Sequence, residues 1–192
     1  FPVKERRETG VVGALGLRWE RLNPDTWNIG IAIGQVFRSA ADPSFSTSSG
    51  LDGLTSDTLV ALHYSSQWGG SLLARGLFDA NLMPVKAEAR VSYSHGKLSL
   101  SGSYIQLNSD LAESRTASVA EWSVDGTYRI NRHWTTNANV QYDLLTGRTA
   151  KTGAKVTYEN ECISVGFGAT RSFAQSTTLV PSTTFDLVVA LR

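Results

Sequence analysis

The chain has 192 residues, of which 41% are hydrophobic and 18% are charged, and its formal net charge is +1. A chain this close to neutral lacks the basic field that nucleic-acid binding requires, so no nucleic-acid partner is expected. No run of 18 or more apolar residues occurs. This excludes a transmembrane helix but leaves open a membrane β-barrel, whose strands carry only about 10 residues of alternating hydrophobicity each.

The first seven residues, FPVKERR, do not form a signal peptide, because no apolar segment follows the charged patch. The chain is therefore expected to be a processed product or a fragment of a longer protein.

Alternating hydrophobicity recurs along the rest of the chain and predicts an all-β, antiparallel fold of about 11 strands. The predicted strands are residues 11–21, 27–38, 57–67, 71–80, 85–94, 97–108, 118–130, 134–144, 149–159, 162–173 and 183–192. The strand at 71–80 is the least regular, because Leu73 and Leu77 interrupt its alternation.

Two of these strands have aromatic residues at both ends of an aliphatic centre. Trp27 and Phe37 bracket three isoleucines, and Trp134 and Tyr142 bracket Ala138 and Val140. This pattern is typical of a lipid-facing strand surface, with rings at the two headgroup levels.

The closing strand also has two distinct faces. Phe185, Leu187, Val189 and Leu191 share one face, and Thr184, Asp186, Val188 and Ala190 share the other. Because side chains alternate along a strand, this segment presents one continuous apolar surface.

The connections alternate in length along the chain. Turns near Pro24, Gly69, Gly96, Arg132 and Asn160 are tight, whereas residues 39–56, 109–117 and 174–182 form long loops. Outer-membrane barrels have short periplasmic turns and longer extracellular loops, so Cys162 is predicted to lie at the periplasmic rim. The last strand then runs towards the periplasm.

Eleven strands is an odd number, whereas single-chain bacterial outer-membrane barrels have an even number. We therefore interpret residues 1–192 as the carboxy-terminal part of one larger outer-membrane barrel. The alternative is a count that is wrong by one, most plausibly at residues 71–80.

Few residues are candidates for chemistry. His63, His95 and His133 are scattered and show no metal-ligand spacing, and no serine lies in a nucleophile elbow, so no metal, cofactor or enzymatic activity is expected. The charges predicted to face the barrel interior suit either a selectivity surface or an ordinary wet interior: Lys86, Glu88, Arg90, Lys151 and Lys155. The single cysteine, Cys162, has either a disulfide partner elsewhere or a buried thiol.

Several segments resemble a known family. They are WNIGIAIGQVFR at 27–38, SGLDGLTSD at 49–57, YDLLTGRTAKTGAKVTYENECISVGFGATRSF at 142–173 and PSTTFDLVVALR at 181–192. These segments resemble the carboxy-terminal barrel region of the LptD family, the lipopolysaccharide-assembly or organic-solvent-tolerance protein of the Gram-negative outer membrane. The resemblance covers about residues 10–192, and its most specific block is 158–171.

The resemblance implies a very large barrel in the outer membrane that inserts lipopolysaccharide into the outer leaflet. It also implies a plug lipoprotein in the barrel lumen, and a periplasmic bridge protein that is reached through an amino-terminal domain absent from this chain. An unrelated outer-membrane channel or secretion barrel is the alternative function.

Two sites follow from the same resemblance. The last strand, with Thr183, Phe185, Leu187, Val189 and Leu191, is expected to form one side of a lateral gate. Cys162 matches the cysteine region that is joined by a disulfide to the periplasmic domain. Family members with two adjacent cysteines differ from this chain, in which Glu161 precedes Cys162, so the number of interdomain disulfides stays open.

Overall fold

The computed structural model describes residues 10–23, 25–173 and 180–191, and it is all-β in this part of the chain apart from two short 3-10 turns. Eleven strands form one antiparallel sheet in which neighbours in sequence are neighbours in space, in the order β1 to β11. They are β1 (Val12–Asn23), β2 (Trp27–Arg38), β3 (Thr58–Ser66), β4 (Gly70–Phe78), β5 (Pro84–His95), β6 (Leu98–Leu107), β7 (Val119–Arg129), β8 (Trp134–Asp143), β9 (Arg148–Glu159), β10 (Ile163–Ser172) and β11 (Ser182–Leu191).

The predicted strand count and the antiparallel order are confirmed. Each predicted strand has a counterpart within two residues at either end, including the irregular strand at 71–80, which is β4. The leader at residues 1–7, Pro24 and most of the loop at 174–182 lie outside the described residues. Among the described residues, no helix has the length and apolar character needed to cross a bilayer.

The chain divides into two compact units. The first contains residues 1–64, 73–89 and 105–119, and the second contains residues 65–72, 90–104 and 120–192. In the first unit, β1 and β2 pair over their full lengths. Their register places Leu15, Leu17 and Trp19 on one face with the isoleucines of β2, and Arg18 and Glu20 on the other face.

In the second unit, strands β7 to β11 repeat this division. One face, here called the apolar face, carries the cross-strand pairs Trp122 with Tyr142, Val124 with Val140, Trp134 with Tyr158, Val156 with Phe167 and Phe185 with Ala169. The opposite face, here called the polar face, carries the pairs Glu121 with Asp143, Asp125 with Asn139 and Asn137 with Lys155. The predicted apolar faces of the strands at 134–144 and 183–192 are confirmed in β8 and β11.

The apolar faces are not covered. Leu15 is 71% exposed and Leu187 is 68% exposed, and Ala120 is the one buried hydrophobic residue among those described. A soluble domain buries its apolar residues in a core, whereas a membrane-spanning barrel presents them to lipid. The missing core therefore favours the barrel interpretation over a soluble β-sandwich.

Candidate functional site

Strand β11 is the last strand in the sheet order and pairs with β10. The two strands are aligned over ten residue pairs, from Ile163 with Leu191 to Ser172 with Ser182. On the apolar face, the rings of Phe167 and Phe185 stack with their centroids 6.4 Å apart. Every residue of β11 is nevertheless exposed. The strand is therefore held by its backbone pairing with β10 and by a few side-chain contacts on one side.

Glycines on the polar face of β10 leave room for side chains from the neighbouring strands. Asp186 of β11, Gly168 of β10 and Lys155 of β9 lie directly opposite one another in register. A Cβ atom at Gly168 would lie 2.5 Å from Oδ1 of Asp186, so the Asp186 carboxylate lies over this glycine. The side chain of Lys155 instead lies over Gly166, where a Cβ atom would be 2.9 Å from Cε. In the described part of the chain, Asp186 and Lys155 form no ion pair with each other.

Cys162 lies in the short turn between β9 and β10 rather than at the start of β10. It is exposed and its thiol is free, so the buried-thiol interpretation is wrong. The side-chain oxygen of Asn160 accepts hydrogen bonds from the backbone N–H groups of Cys162 at 3.0 Å and Ile163 at 2.9 Å. This Asx-type turn fixes the backbone that carries the thiol.

The neighbouring turn between β7 and β8 repeats the arrangement. The side-chain oxygen of Asn131 accepts hydrogen bonds from the N–H groups of His133 at 2.8 Å and Trp134 at 3.0 Å. The rings of Trp134 and Tyr158 lie with centroids 5.1 Å apart on the apolar face at this end of the strands. Rings at strand ends are typical of the interface between lipid and water, so the turn that bears Cys162 lies just outside the apolar band.

Comparison with known proteins identifies the family of the chain. The family model of LPS transport system D, LptD, matches residues 1–119, which is more than half of the 192 residues. The chain belongs to the LptD family. The matched segment ends before residues 142–173, so the resemblance around Cys162 stays a prediction.

Membership of the LptD family relates this chain to outer-membrane transport of lipopolysaccharide. No curated protein matches the chain. A solved structure of the NanC porin, in a rhombohedral crystal form, aligns with a TM-score of 0.42 and 12% sequence identity. That alignment covers 94% of this chain and 93% of the porin chain.

In this LptD-family chain the three histidines are separate from one another. His63 lies in β3, and its ring lies over Gly30 of β2 on the face that carries Arg18 and Glu20, with Nε2 3.4 Å from Oε1 of Glu20 in β1. His95 ends β5, and His133 lies in the turn before β8, with Nδ1 2.9 Å from the Glu159 carbonyl oxygen. The described residues contain no group of three or more potential metal ligands.

The predicted interior charges are partly paired. Arg75 of β4 forms an ion pair with Glu88 of β5, and Lys86 forms one with Glu113 at 3.4 Å. Lys151 and Lys155 lie on the polar face of β9, in register with Gln141 and Asn137. Charges of both signs therefore occur within each unit, with Glu121 and Asp125 on the same face as the lysines in the second, which suits a wet interior better than a surface of one sign.

Sequence reasoning missed one group of polar residues, which joins two long loops of the first unit. Ser46 and Ser48 in the β2–β3 loop contact Asp110, Glu113 and Arg115 in the β6–β7 loop. The only sequence signal was local: Asp110 and Glu113 are spaced as in a capping box, and Asp110 caps a 3-10 turn through the N–H of Ala112. A loop-to-loop contact has no period, so the pattern analysis did not find it.

Proposed function

We propose that residues 1–192 form the carboxy-terminal part of one LptD-family barrel domain, which inserts lipopolysaccharide into the outer leaflet, and that β11 forms one side of a lateral gate. The supporting observation is that β11 ends the sheet order while every one of its residues is exposed. Backbone pairing with β10 is its main attachment, so the opposite edge of β11 is available to a partner strand that separates.

The two faces of β11 suit the two halves of an amphiphilic lipid. Phe185, Leu187 and Leu191 present an apolar surface that matches acyl chains. Thr184 and Asp186 lie on the polar face, next to the polar residues of β9 and β10. A lipid that leaves sideways past this strand keeps its acyl chains on one side and its sugars on the other.

The first residues of β11 have few backbone hydrogen-bond donors. β11 begins at Ser182, immediately after Pro181, which has no backbone N–H to donate to a ladder. A strand whose partner must open and close benefits from a limited number of hydrogen bonds. Thr183, Phe185, Leu187, Val189 and Leu191 are therefore the gate residues of this proposal.

A disulfide cross-link tests the gate. Cysteines at Leu187 and at the facing position of the opposing strand in the full-length protein are expected to abolish the appearance of new lipopolysaccharide at the cell surface, and reductant is expected to restore it. The matched control is a cysteine pair at Ala169 and Phe185, which are direct partners within the β10–β11 pair, so this cross-link is expected to leave export unchanged. Undiminished export in a fully cross-linked gate protein would overturn the proposal.

We also propose that Cys162 is joined by a disulfide to the amino-terminal periplasmic domain of the full-length protein, which contacts the periplasmic bridge protein, and that a plug lipoprotein occupies the lumen. Support comes from the exposed thiol and from its place in a short turn, at the end of the strands that faces the periplasm in outer-membrane barrels.

A non-reducing gel of the full-length protein tests the disulfide. Cys162→Ser is expected to change its mobility to that of the reduced protein. The control is Cys162→Ser combined with Ser172→Cys, which moves the thiol to the opposite end of β10 and is expected not to restore the oxidised mobility. Unchanged mobility of Cys162→Ser would show that Cys162 forms no interdomain bond.

A further inference from the structure

Two neighbouring short turns of the second unit carry positive charge. The β5–β6 turn contains Lys97, the β7–β8 turn contains Arg132, and Arg129 ends β7. These three residues define what is here called the basic patch. Because β6 and β7 are neighbours in the sheet, the two turns lie side by side at the same end of the strands. Neither turn contains an acidic residue: the sequences are SHGKL at 94–98 and YRINRHW at 128–134.

Hydrogen bonds join the two turns. The backbone N–H of Arg129 donates to the Lys97 carbonyl oxygen at 2.8 Å. In the other direction, Nζ of Lys97 donates to the Ile130 carbonyl oxygen at 2.9 Å. A lysine ammonium group has three donors, so this contact leaves two donors for a ligand. The charge of Lys97 is therefore held beside Ile130 and keeps most of its capacity to bind an anion.

The positive charges of the basic patch are not neutralised by neighbouring carboxylates. In the described part of the chain, Lys97, Arg129 and Arg132 form no ion pair, and all three residues are exposed. Acidic residues return only in the next short turn, between β9 and β10, with Glu159 and Glu161. The surface around the two turns is therefore locally positive, although the whole chain has a formal net charge of only +1.

The basic patch adjoins the aromatic end of the apolar face. Ile130 lies opposite Trp134, because its N–H donates to the Trp134 carbonyl oxygen at 2.9 Å. The Trp134 ring in turn contacts the Tyr158 ring. Tyr128 and Trp134 are 46% and 42% exposed. Aromatic rings of this kind lie at the level of the lipid headgroups, so the basic patch lies at the depth of the lipid phosphates.

From this geometry we infer that the basic patch binds the phosphate of an anionic phospholipid in the leaflet at the short-turn end of the strands. Lys97 and Arg132 contact the phosphate, and the acyl chains lie along the apolar face beside Ile130 and Trp134. A lipid fits this surface better than a soluble acidic protein, because the charges adjoin exposed apolar side chains that acyl chains match. The site goes beyond the proposed lipid export and requires neither the lateral gate nor the Cys162 disulfide.

The charge of the basic patch selects among phospholipids. A zwitterionic headgroup carries a cationic group beside its phosphate, and the remaining positive charges of the patch repel that group. An anionic headgroup such as phosphatidylglycerol has no such group. Each Lys or Arg near a bilayer surface raises the affinity for an anionic lipid by about fivefold. The two turns therefore enrich anionic lipid locally and hold this end of the strands at the headgroup level.

Photo-cross-linking from Ile130 tests the site in the full-length protein with its natural partners. A benzoylphenylalanine replaces Ile130, and the protein is placed in vesicles of equimolar phosphatidylglycerol and phosphatidylcholine with identical acyl chains. Mass spectrometry then gives the ratio of the two lipid adducts. We expect phosphatidylglycerol to predominate, and Lys97→Gln and Arg132→Gln each to lower the ratio by about fivefold. Equal yields of the two lipids in the protein with both basic residues intact would overturn the inference.

Two further variants separate charge from folding and position. Lys97→Arg keeps the charge and is expected to keep the adduct ratio. The matched control is Arg148→Gln, which removes one exposed positive charge at the opposite end of β9 and is expected to leave the ratio unchanged. An equal fall in this control would show that only the overall charge matters and would contradict a local site. Loss of the lipid preference in an excess of soluble glycerol phosphate would also contradict it, because the ligand would then be free phosphate.

Discussion

Strands β1 to β3 and strands β9 to β11 share one arrangement of an acidic residue, a glycine and a basic residue. The acidic and basic side chains contact each other only in the first of these two groups of strands. In each, an acidic residue of the end strand lies opposite a glycine, and a basic residue of the next strand lies beyond it. At one end of the strand order, Glu20 reaches over Gly30 to His63, and its Oε1 lies 3.4 Å from Nε2 of the His63 ring. In the second group, Asp186 lies over Gly168 and does not pair with Lys155.

The difference comes from side-chain length and position. Glutamate has one more methylene group than aspartate, and the His63 ring lies directly over the glycine between the two strands. Lys155 extends instead over Gly166, two residues away along β10. Among the described residues, β1 thus contacts the second strand inward through Glu20, whereas Asp186 of β11 forms no ion pair with Lys155 of β9. An end strand that opens needs this second arrangement.

The largest expected effect comes from filling the two glycine positions. Gly30→Val is expected to lower the free energy of unfolding by about 2 kcal/mol, because a Cβ atom would lie 2.1 Å from Cε1 of the His63 ring and the ring must move. Gly168→Val is expected to cost less than about 1 kcal/mol, because only the carboxylate of the exposed Asp186 side chain must move. Denaturant titration of the full-length protein in detergent micelles measures both. Equal losses would contradict the comparison.

A smaller effect is expected from removing the acidic groups. Glu20→Gln is expected to cost about 0.5 kcal/mol, because its contacts with Arg18 at 3.1 Å and His63 at 3.4 Å are partly exposed and screened by solvent. Asp186→Asn is expected to leave the stability unchanged within error, since no ion pair is lost. The same titration compares the two variants. A larger loss of unfolding free energy for Asp186→Asn than for Glu20→Gln would contradict the comparison, because it would show that Asp186 stabilises β11.

The smallest change is expected from creating an ion pair between residue 186 and Lys155. Asp186→Glu adds one methylene group and brings the carboxylate closer to Lys155 across Gly168. We expect a gain of about 0.3 kcal/mol, typical of an exposed pair, together with slower export of lipopolysaccharide because β11 separates less readily. Lys155→Met in the same background is the control and is expected to remove both effects. Faster export in Asp186→Glu would contradict the gate.

The fold was predictable because its signal is local and periodic. In β2, the isoleucines at positions 29, 31 and 33 alternate with small or polar residues, so strand, face and length follow from the order of residues alone. Even β4, where Leu73 and Leu77 lie on the same face as Arg75, kept enough alternation to be recognised.

The parts that were missed depend on contacts between segments far apart in the sequence. The approach of His63 to Glu20 requires the registers of two strand pairs, which turn geometry sets and alternation does not. The contact between Ser48 and Arg115 joins two loops without any period. The predicted strand at 162–173 begins one residue too early, so that Cys162 falls in the strand instead of the turn. The reason is that the side-chain oxygen of Asn160 caps the turn through residue 163. Capping of this kind is visible only once the turn has formed.

The spacing of the aromatic rings determines how thick a bilayer this protein fits. From Trp27 to Phe37 there are ten residue steps, or about 33 Å of strand, and a tilt of about 40° reduces this to an apolar height of about 25 Å. A typical bilayer has a hydrocarbon core of about 30 Å, whereas the bacterial outer membrane is thinner than average. Hydrophobic mismatch thus opposes residence in a bilayer of typical thickness. Around a barrel of this height, such a bilayer would have to thin, which shortens the path of a lipid that crosses it.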